Sequence, residues 1–196
     1  MSNKRLIIAS NNAHKVLEIK ELIGERFDEV LSMREAGIEL DIEENGKTFR
    51  DNALIKARAI GAITRGDAVI ADDSGLIVEA LDGAPGVYSA RFAGEPCNDR
   101  ANNEKLLDLL KDVVDRRAYY VSDVVILYPD GRVFSAEGRV NGIILEDYRG
   151  DGGFGYDPLF YCLELGKTFG EITLDEKNLV SHRSRALAAL KAELPL

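Results

Sequence analysis

Tryptophan is absent from the 196 residues, and cysteine, methionine and histidine occur only twice each. Cys97 and Cys162 stand far apart, with no CxxC pair and no histidine beside either. That pattern argues against a disulfide framework and against a structural zinc site. Long apolar runs are missing as well. Val124 to Tyr128 is among the longest, whereas a membrane helix needs about 20 such residues. No membrane partner is therefore expected. The opening MSNKRLIIAS turns polar too early for a signal peptide, so the chain reads as cytoplasmic. Basic charge is also scarce: 25 Lys and Arg against 34 Asp and Glu leave a net charge of −9. A protein that tracks along nucleic acid needs a continuous basic footprint, so no nucleic-acid partner is expected. A small polyphosphate remains open, since a few converging cations and a bridging divalent ion can neutralise it. The P-loop pattern Gly-x-x-x-x-Gly-Lys-Ser/Thr occurs nowhere, which removes P-loop chemistry.

What the chain does carry is an alternation of strand and helix signals. Residues 5–10 (RLIIAS) and 67–71 (DAVIA) read as short buried strands. Val16, Leu17, Ile19, Leu22 and Ile23 recur at helical spacing and predict a helix over 13–23. Thr48 with Asp51 resembles a capping box, Asp standing for Glu, and opens a helix through residue 60. A Leu-rich helix is predicted over 101–114. Residues 118–128 and 132–137, split by Pro129-Asp130-Gly131, predict a hairpin. Residues 138–145 add a further strand, and 182–194 a closing amphipathic helix. With no linker, repeat or low-complexity run, residues 1–196 are expected to form a single α/β domain with a partly antiparallel sheet.

Five segments look chemical. Ser10-Asn11-Asn12-Ala13-His14-Lys15 lies at a strand-to-helix junction, where unpaired amides and the helix dipole favour phosphate. The same residues also serve as an ordinary Asx cap with a solvated lysine. Asp72-Asp73-Ser74-Gly75 follows the strand AVIA. Adjacent strand side chains point to opposite faces, so the two acids have different tasks, and Gly75 permits a tight turn. Paired carboxylates at the mouth of a sheet suit a hard divalent cation, or else form a solvated turn rich in Asp and Gly. Glu43-Glu44-Asn45-Gly46 offers a second metal carboxylate, or is a surface loop. Gly150 to Pro158 holds four glycines in the six residues 150–155. That allows close backbone approach to a ligand, with Phe154 or Tyr156 as a stacking face for a base. Lys177 is followed by Ser181-His182-Arg183-Ser184-Arg185, where Ser181 as N-cap puts His182 and Arg183 at a helix start. The dipole disfavours cations there unless an anion or polar ligand is near. A lone histidine also serves as an ordinary hydrogen-bonded structural residue. Together the segments supply what a nucleoside triphosphate site needs.

Five blocks, SNNAHK (10–15), EENGKTFRDNALIKA (43–57), ADDSGLIVEALDGAPGVYSARFAG (71–94), GGFGYDPLF (152–160) and EKNLVSHRSRAL (176–187), closely resemble the inosine triphosphate pyrophosphatase family. The likeness runs from about residue 6 to residue 190. It implies a long central mixed sheet flanked by helices, two lobes with a cleft between them, and a homodimer. It implies Mg²⁺-dependent attack of water at the α-phosphorus of non-canonical purine nucleoside triphosphates (ITP, dITP, XTP, dXTP). The products would be the monophosphate and pyrophosphate. Ser10, Asn11, Asn12, Ala13, His14 and Lys15 would contact the triphosphate. Asp73 would be general base and metal carboxylate, Glu44 the second metal group, and Ser74 a substrate contact. Phe154, Gly155, Tyr156, Asp157, Lys177, His182 and Arg183 would hold base and sugar. The choice of Glu44 over Glu43 rests on its offset from Gly46, and Ser122-Asp123 is more polar than the family pattern leads one to expect. Related septum-inhibitor pyrophosphatases carry Ser-Pro-Arg-Arg where this chain has Asn12-Ala13-His14-Lys15.

Overall fold

The computed structural model describes residues 4–194. Its strands are β1 (Arg5–Ile8), β2 (Glu29–Ser32), β3 (Ala68–Val78), β4 (Arg117–Leu127), β5 (Val133–Ile144), β6 (Phe160–Cys162) and β7 (Lys167–Thr168). They form one mixed sheet in the order β2-β1-β3-β4-β5-β6-β7. β1 is parallel to β2 and β3, while β6 is antiparallel to β5 and β7. β4 and β5 form a hairpin whose turn is closed by Tyr128 N–H on the Arg132 carbonyl and Gly131 N–H on the Tyr128 carbonyl.

Five helices flank the sheet: α1 (Ala13–Ile23), α2 (Phe49–Thr64), α3 (Asp99–Leu109), α4 (Leu174–Val180) and α5 (His182–Glu193). Their starts are written in the sequence. Asn12, Thr48, Asn98 and Thr173 each accept backbone N–H groups of the first turn, and Thr173 completes a capping box with Glu176. Among the described residues no helix is long and apolar enough to cross a membrane. Cys97 is exposed and Cys162 buried, both as free thiols.

Two compact units share the chain. One comprises Met1–Asp73, Ser122–Gly138 and Arg183–Leu196; the other comprises Ser74–Val121 and Arg139–His182. In the first unit both sheet faces are covered. Leu6, Ile8, Ala68, Ile70, Val124 and Ile126 pack against Ile19 and Ile23 of α1 and Ala186, Leu187 and Leu190 of α5. Ile7, Val69, Ala71 and Val125 pack against Ala53, Ala57 and Ile60 of α2. Strands buried on both faces read as continuous apolar runs, which is how RLII and AVIA read. The second unit's core gathers Leu76, Val78, Leu106, Leu110, Tyr120, Val140, Ile144, Phe160 and Phe169.

The structure departs from the sequence expectation in several places. The strand expected to stop at residue 71 runs on to Val78, so Asp72-Asp73 lies mid-strand and Gly75 is extended rather than turned. Alternating burial through Leu76 and Val78 sustains it beyond the polar residues. The helix expected over 101–114 begins two residues earlier, at its Asn98 cap, and ends at Leu109. The strand expected over 138–145 is the continuation of β5. Short β2, β6, β7 and α4 give too little periodicity to be read from sequence.

Candidate functional site

Strand alternation sorts the two aspartates in the first unit. Asp72 continues the Ala68–Ile70 side of β3, facing α1 and α5; Asp73 continues the Val69–Ala71 side, facing α2. Asp72 is 2% exposed. Its Oδ2 accepts from Arg183 Nε at 3.0 Å, and Oδ1 lies 3.3 Å from Lys15 Nζ. Arg183, at the start of α5 and fully buried, also donates through Nη1 to Glu18 Oε2. The anions that offset its place at a helix start are thus the protein's own carboxylates. Burial pushes the Asp72 carboxyl up, but the charges of Lys15 and Arg183 outweigh it and hold the group far below the usual carboxylate range.

Asp73 sits in a different field. Its Oδ2 accepts from Asn52 Nδ2 at 3.0 Å, and its Oδ1 lies 3.5 Å from Lys56 Nζ. Lys56 Nζ also donates to Glu44 Oε1 at 3.2 Å. Asn52 and Lys56 are four apart on α2, hence on one face. Burial raises the Asp73 carboxyl, and Lys56 only partly offsets this. Lys56 is held above its ordinary value: burial lowers it, but Asp73 and Glu44 prevail. The strand therefore presents one acid held toward its charged form and one shifted toward its protonated form.

Glu44 and Asp73 converge on a single cationic atom, Lys56 Nζ. Glu43 is exposed. Among the described residues no group of three or more His, Cys, Asp or Glu side chains forms a metal cage. A pair of carboxylates meeting at a cation position is nonetheless the donor set that Mg²⁺ uses, with waters and phosphate oxygens filling the remainder. Ser122-Asp123 also finds a place: Ser122 Oγ lies 3.5 Å from Asp72 Oδ2, and Asp123 is on the Asp73 side of β4, its carboxyl raised by burial and by Glu137.

At the start of α1, Asn12 Oδ1 accepts from the His14 and Lys15 amides, and Ser10 Oγ accepts from Asn12 N–H. Two amides that a helix start offers to an anion are therefore taken by the cap. Asn11, Asn12, Ala13 and His14 are exposed, and Ser10 and Lys15 partly so.

In the second unit, Asp157 is the hub. Its Oδ2 accepts from Lys177 Nζ at 2.6 Å and from Phe154 N–H at 3.0 Å. Lys177 Nζ lies 4.6 Å from the Phe154 ring centroid, a cation–π contact. Phe154 is partly exposed, whereas Tyr156 is buried with its hydroxyl donating to the Ser89 carbonyl. Gly155 N–H donates to Asp99 Oδ2 at 2.8 Å, and its carbonyl accepts from Asn103 Nδ2 at 2.9 Å. His182 is 3% exposed and Ser74 is partly buried. Gly150 and Gly153 serve close approach within the protein, whereas a side chain at Gly155 would meet nothing within 4 Å. A side chain at Gly150 would meet the Gly170 carbonyl, and one at Gly153 would meet the Asp157 carboxylate.

The sequence-predicted residues therefore fall into two groups. Lys15, Glu44, Asp73 and Arg183 lie in the first unit, Arg183 alongside Asp72 and Glu18; Ser74, Phe154, Gly155, Tyr156, Asp157, Lys177 and His182 lie in the second. Sequence reading passed over Lys56, Asn52 and Glu18. The i,i+4 spacing of Asn52 and Lys56 on a capped helix was an available signal for the first two.

The Ham1 family model matches residues 6–193. The chain belongs to the Ham1 family. A dITP/XTP pyrophosphatase of Clostridium perfringens is 52% identical over 198 residues, covering 97% of each chain. One from Desulforamulus reducens is 50% identical over 185 residues, covering 93% of this chain and 92% of that one. Among solved structures, the Staphylococcus aureus Ham1 protein superposes with a TM-score of 0.87 at 42% identity, over 96% of this chain and 97% of that one. A Mycobacterium abscessus nucleoside-triphosphatase / dITP/XTP pyrophosphatase gives a TM-score of 0.77 at 39% identity, over 98% and 100%. Both charged groups described above lie within the span of the Ham1 match.

Proposed function

We propose that this chain hydrolyses non-canonical purine nucleoside triphosphates (ITP, dITP, XTP and dXTP) to the monophosphate and pyrophosphate, clearing them from the nucleotide pool. The observation that carries this reading is the meeting of Glu44 and Asp73 at one cation position. Near-full-length identity to relatives bearing the dITP/XTP pyrophosphatase name supports the substrate class.

Asp73, raised by burial, accepts the proton of the water that attacks the α-phosphorus. Asn52 holds its Oδ2, and Oδ1, 3.5 Å from Lys56 Nζ, is the oxygen for that task. Lys15 and Lys56 neutralise phosphate oxygens, and the side chains of Ser10, Asn11, Asn12 and His14, with Ala13 in the same turn, complete the triphosphate contacts. Glu44 and Asp73 would hold Mg²⁺. When bound, that ion screens phosphate charge and acidifies a water. Glu18, Glu44, Asp72 and Asp73 pair with Lys15, Lys56 and Arg183, so part of that positive charge is already neutralised. The network alone is thus not positive enough for a triphosphate, which favours a divalent requirement. Phe154 and Tyr156, with Gly155, Asp157, Lys177, His182 and Arg183, hold base and sugar, and Ser74 touches substrate. Donors aimed at a 6-oxo group would be left unpaired by a 6-amino group, which disfavours ATP. We further assign a single catalytic domain over residues 1–196, a cytoplasmic location and a homodimer.

The test is to incubate the protein with ITP, dITP, XTP, GTP, ATP and UTP plus Mg²⁺ and to identify the phosphate product. Pyrophosphate, released much faster from ITP, dITP and XTP than from ATP, is the expected result. Orthophosphate with a diphosphate would overturn the reaction, and equal rates on ATP would overturn the selectivity.

A further inference from the structure

The residues assigned to the base share a neighbour that is not among them. Tyr120 lies on β4, on the core side with Ala118, and is 7% exposed. One contact is made by its ring, which stacks on His182 with centroids 4.8 Å apart and planes 14° from parallel. The other is made by its hydroxyl, which faces the Asp157 carboxylate. Asp157 is the acceptor for Lys177 Nζ and Phe154 N–H. A single side chain therefore lies flat against one recognition residue and presents its hydroxyl to the carboxylate that anchors two others.

Packing alone does not explain a tyrosine here. Phe160 and Phe169 flank the same ring at 4.6 and 6.0 Å and fill the core without a hydroxyl. A buried hydroxyl requires a partner, and this one meets the acceptor that holds the 152–157 loop. Burial, and after it the Asp157 charge, raise the Tyr120 hydroxyl well above its ordinary value, so it remains a donor across the working pH range.

We propose that Tyr120 is a positioning residue for nucleobase recognition, acting on His182 through its ring face and on Asp157, Lys177 and Phe154 through its hydroxyl. The inference rests on the proposed function and deepens it, by naming what sets the geometry of the base end. Tyr120→Phe keeps the stack and removes the hydroxyl; Tyr120→Leu removes both. Inorganic triphosphate has no base, so its binding reads the polyphosphate end alone.

The experiment measures kcat and KM for XTP, dITP and ATP, and the inhibition constant of inorganic triphosphate, in wild type and both variants. Tyr120→Phe should raise KM for XTP and dITP about tenfold, the worth of one hydrogen bond to a charged acceptor. Its kcat should be nearly unchanged and inorganic triphosphate inhibition unaltered. Tyr120→Leu should in addition narrow the XTP-over-ATP preference. If Tyr120→Leu misfolds, Tyr120→Phe decides. An unchanged KM in Tyr120→Phe, or an equal weakening of nucleotide and inorganic triphosphate, would overturn the proposal, the latter marking Tyr120 as a general structural prop. Calorimetric binding of IMP and inorganic triphosphate to the same proteins gives the same comparison without turnover. A wild type that releases no pyrophosphate would thus count against the proposed function and not against Tyr120.

Discussion

Asp72 is bracketed by Lys15 and Arg183, whereas Asp73, one residue on, faces Asn52 and Lys56 across the other side of the strand. Equivalent substitutions should therefore fail in different ways. Asp73→Asn keeps the shape and removes a desolvated charge, so the protein should stay folded while pyrophosphate release falls about 100-fold or more. Asp72→Asn leaves Arg183 and Lys15 short of a countercharge in a buried setting, and denaturant titration should show a loss on the order of 3 kcal/mol. A folded, active Asp73→Asn would show that the base is elsewhere. Acid stability separates the pair as well. Asp72 is held below its unfolded value, so its contribution is present above about pH 4 and drains away as the pH falls further. Asp72→Asn should flatten that acid limb of the stability curve. The sequence announced that two adjacent acids must differ, by strand alternation alone. Which one meets cations on both sides was not legible, because Arg183 is 111 residues away along the chain.

Among the elements, α1, α2 and the β4–β5 hairpin were legible because caps, helical spacing and a Pro-Asp-Gly turn all agree there. β3 was cut short because two charged residues in succession read as a strand end. They are tolerated inside it because each acid finds cations on its own face. α4 has seven residues, too few for periodicity, although Thr173-x-x-Glu176 was there to mark its start. The glycine loop was legible as special, but its contacts within the protein were not. Gly153 has φ +73°, and the Asp157 carboxylate folds against it. Gly153→Ala should therefore strain the backbone by about 1 kcal/mol or more and displace Asp157 from Lys177. Steady-state kinetics should show KM for XTP rising more than kcat falls. A KM that does not move would mean the loop tolerates the shift.

For the molecule as a whole, a net charge of −9 would repel a triphosphate unless cations are concentrated where it binds. In the proposed site Lys15 and Lys56 would provide that concentration, and each is already paired with the protein's own acids. Because these pairs hold the carboxylates without a metal, chelation with EDTA should abolish turnover while circular dichroism and thermal midpoint stay nearly unchanged. Unfolding on chelation would contradict the assignment of Lys56 as the cation that otherwise holds Glu44 and Asp73. The central claim is that water attacks the α-phosphorus. Hydrolysis of dITP in ¹⁸O-labelled water tests it most directly, by mass spectrometry of both products. The account predicts label in the nucleoside monophosphate and none in pyrophosphate; label in pyrophosphate or in orthophosphate would contradict it.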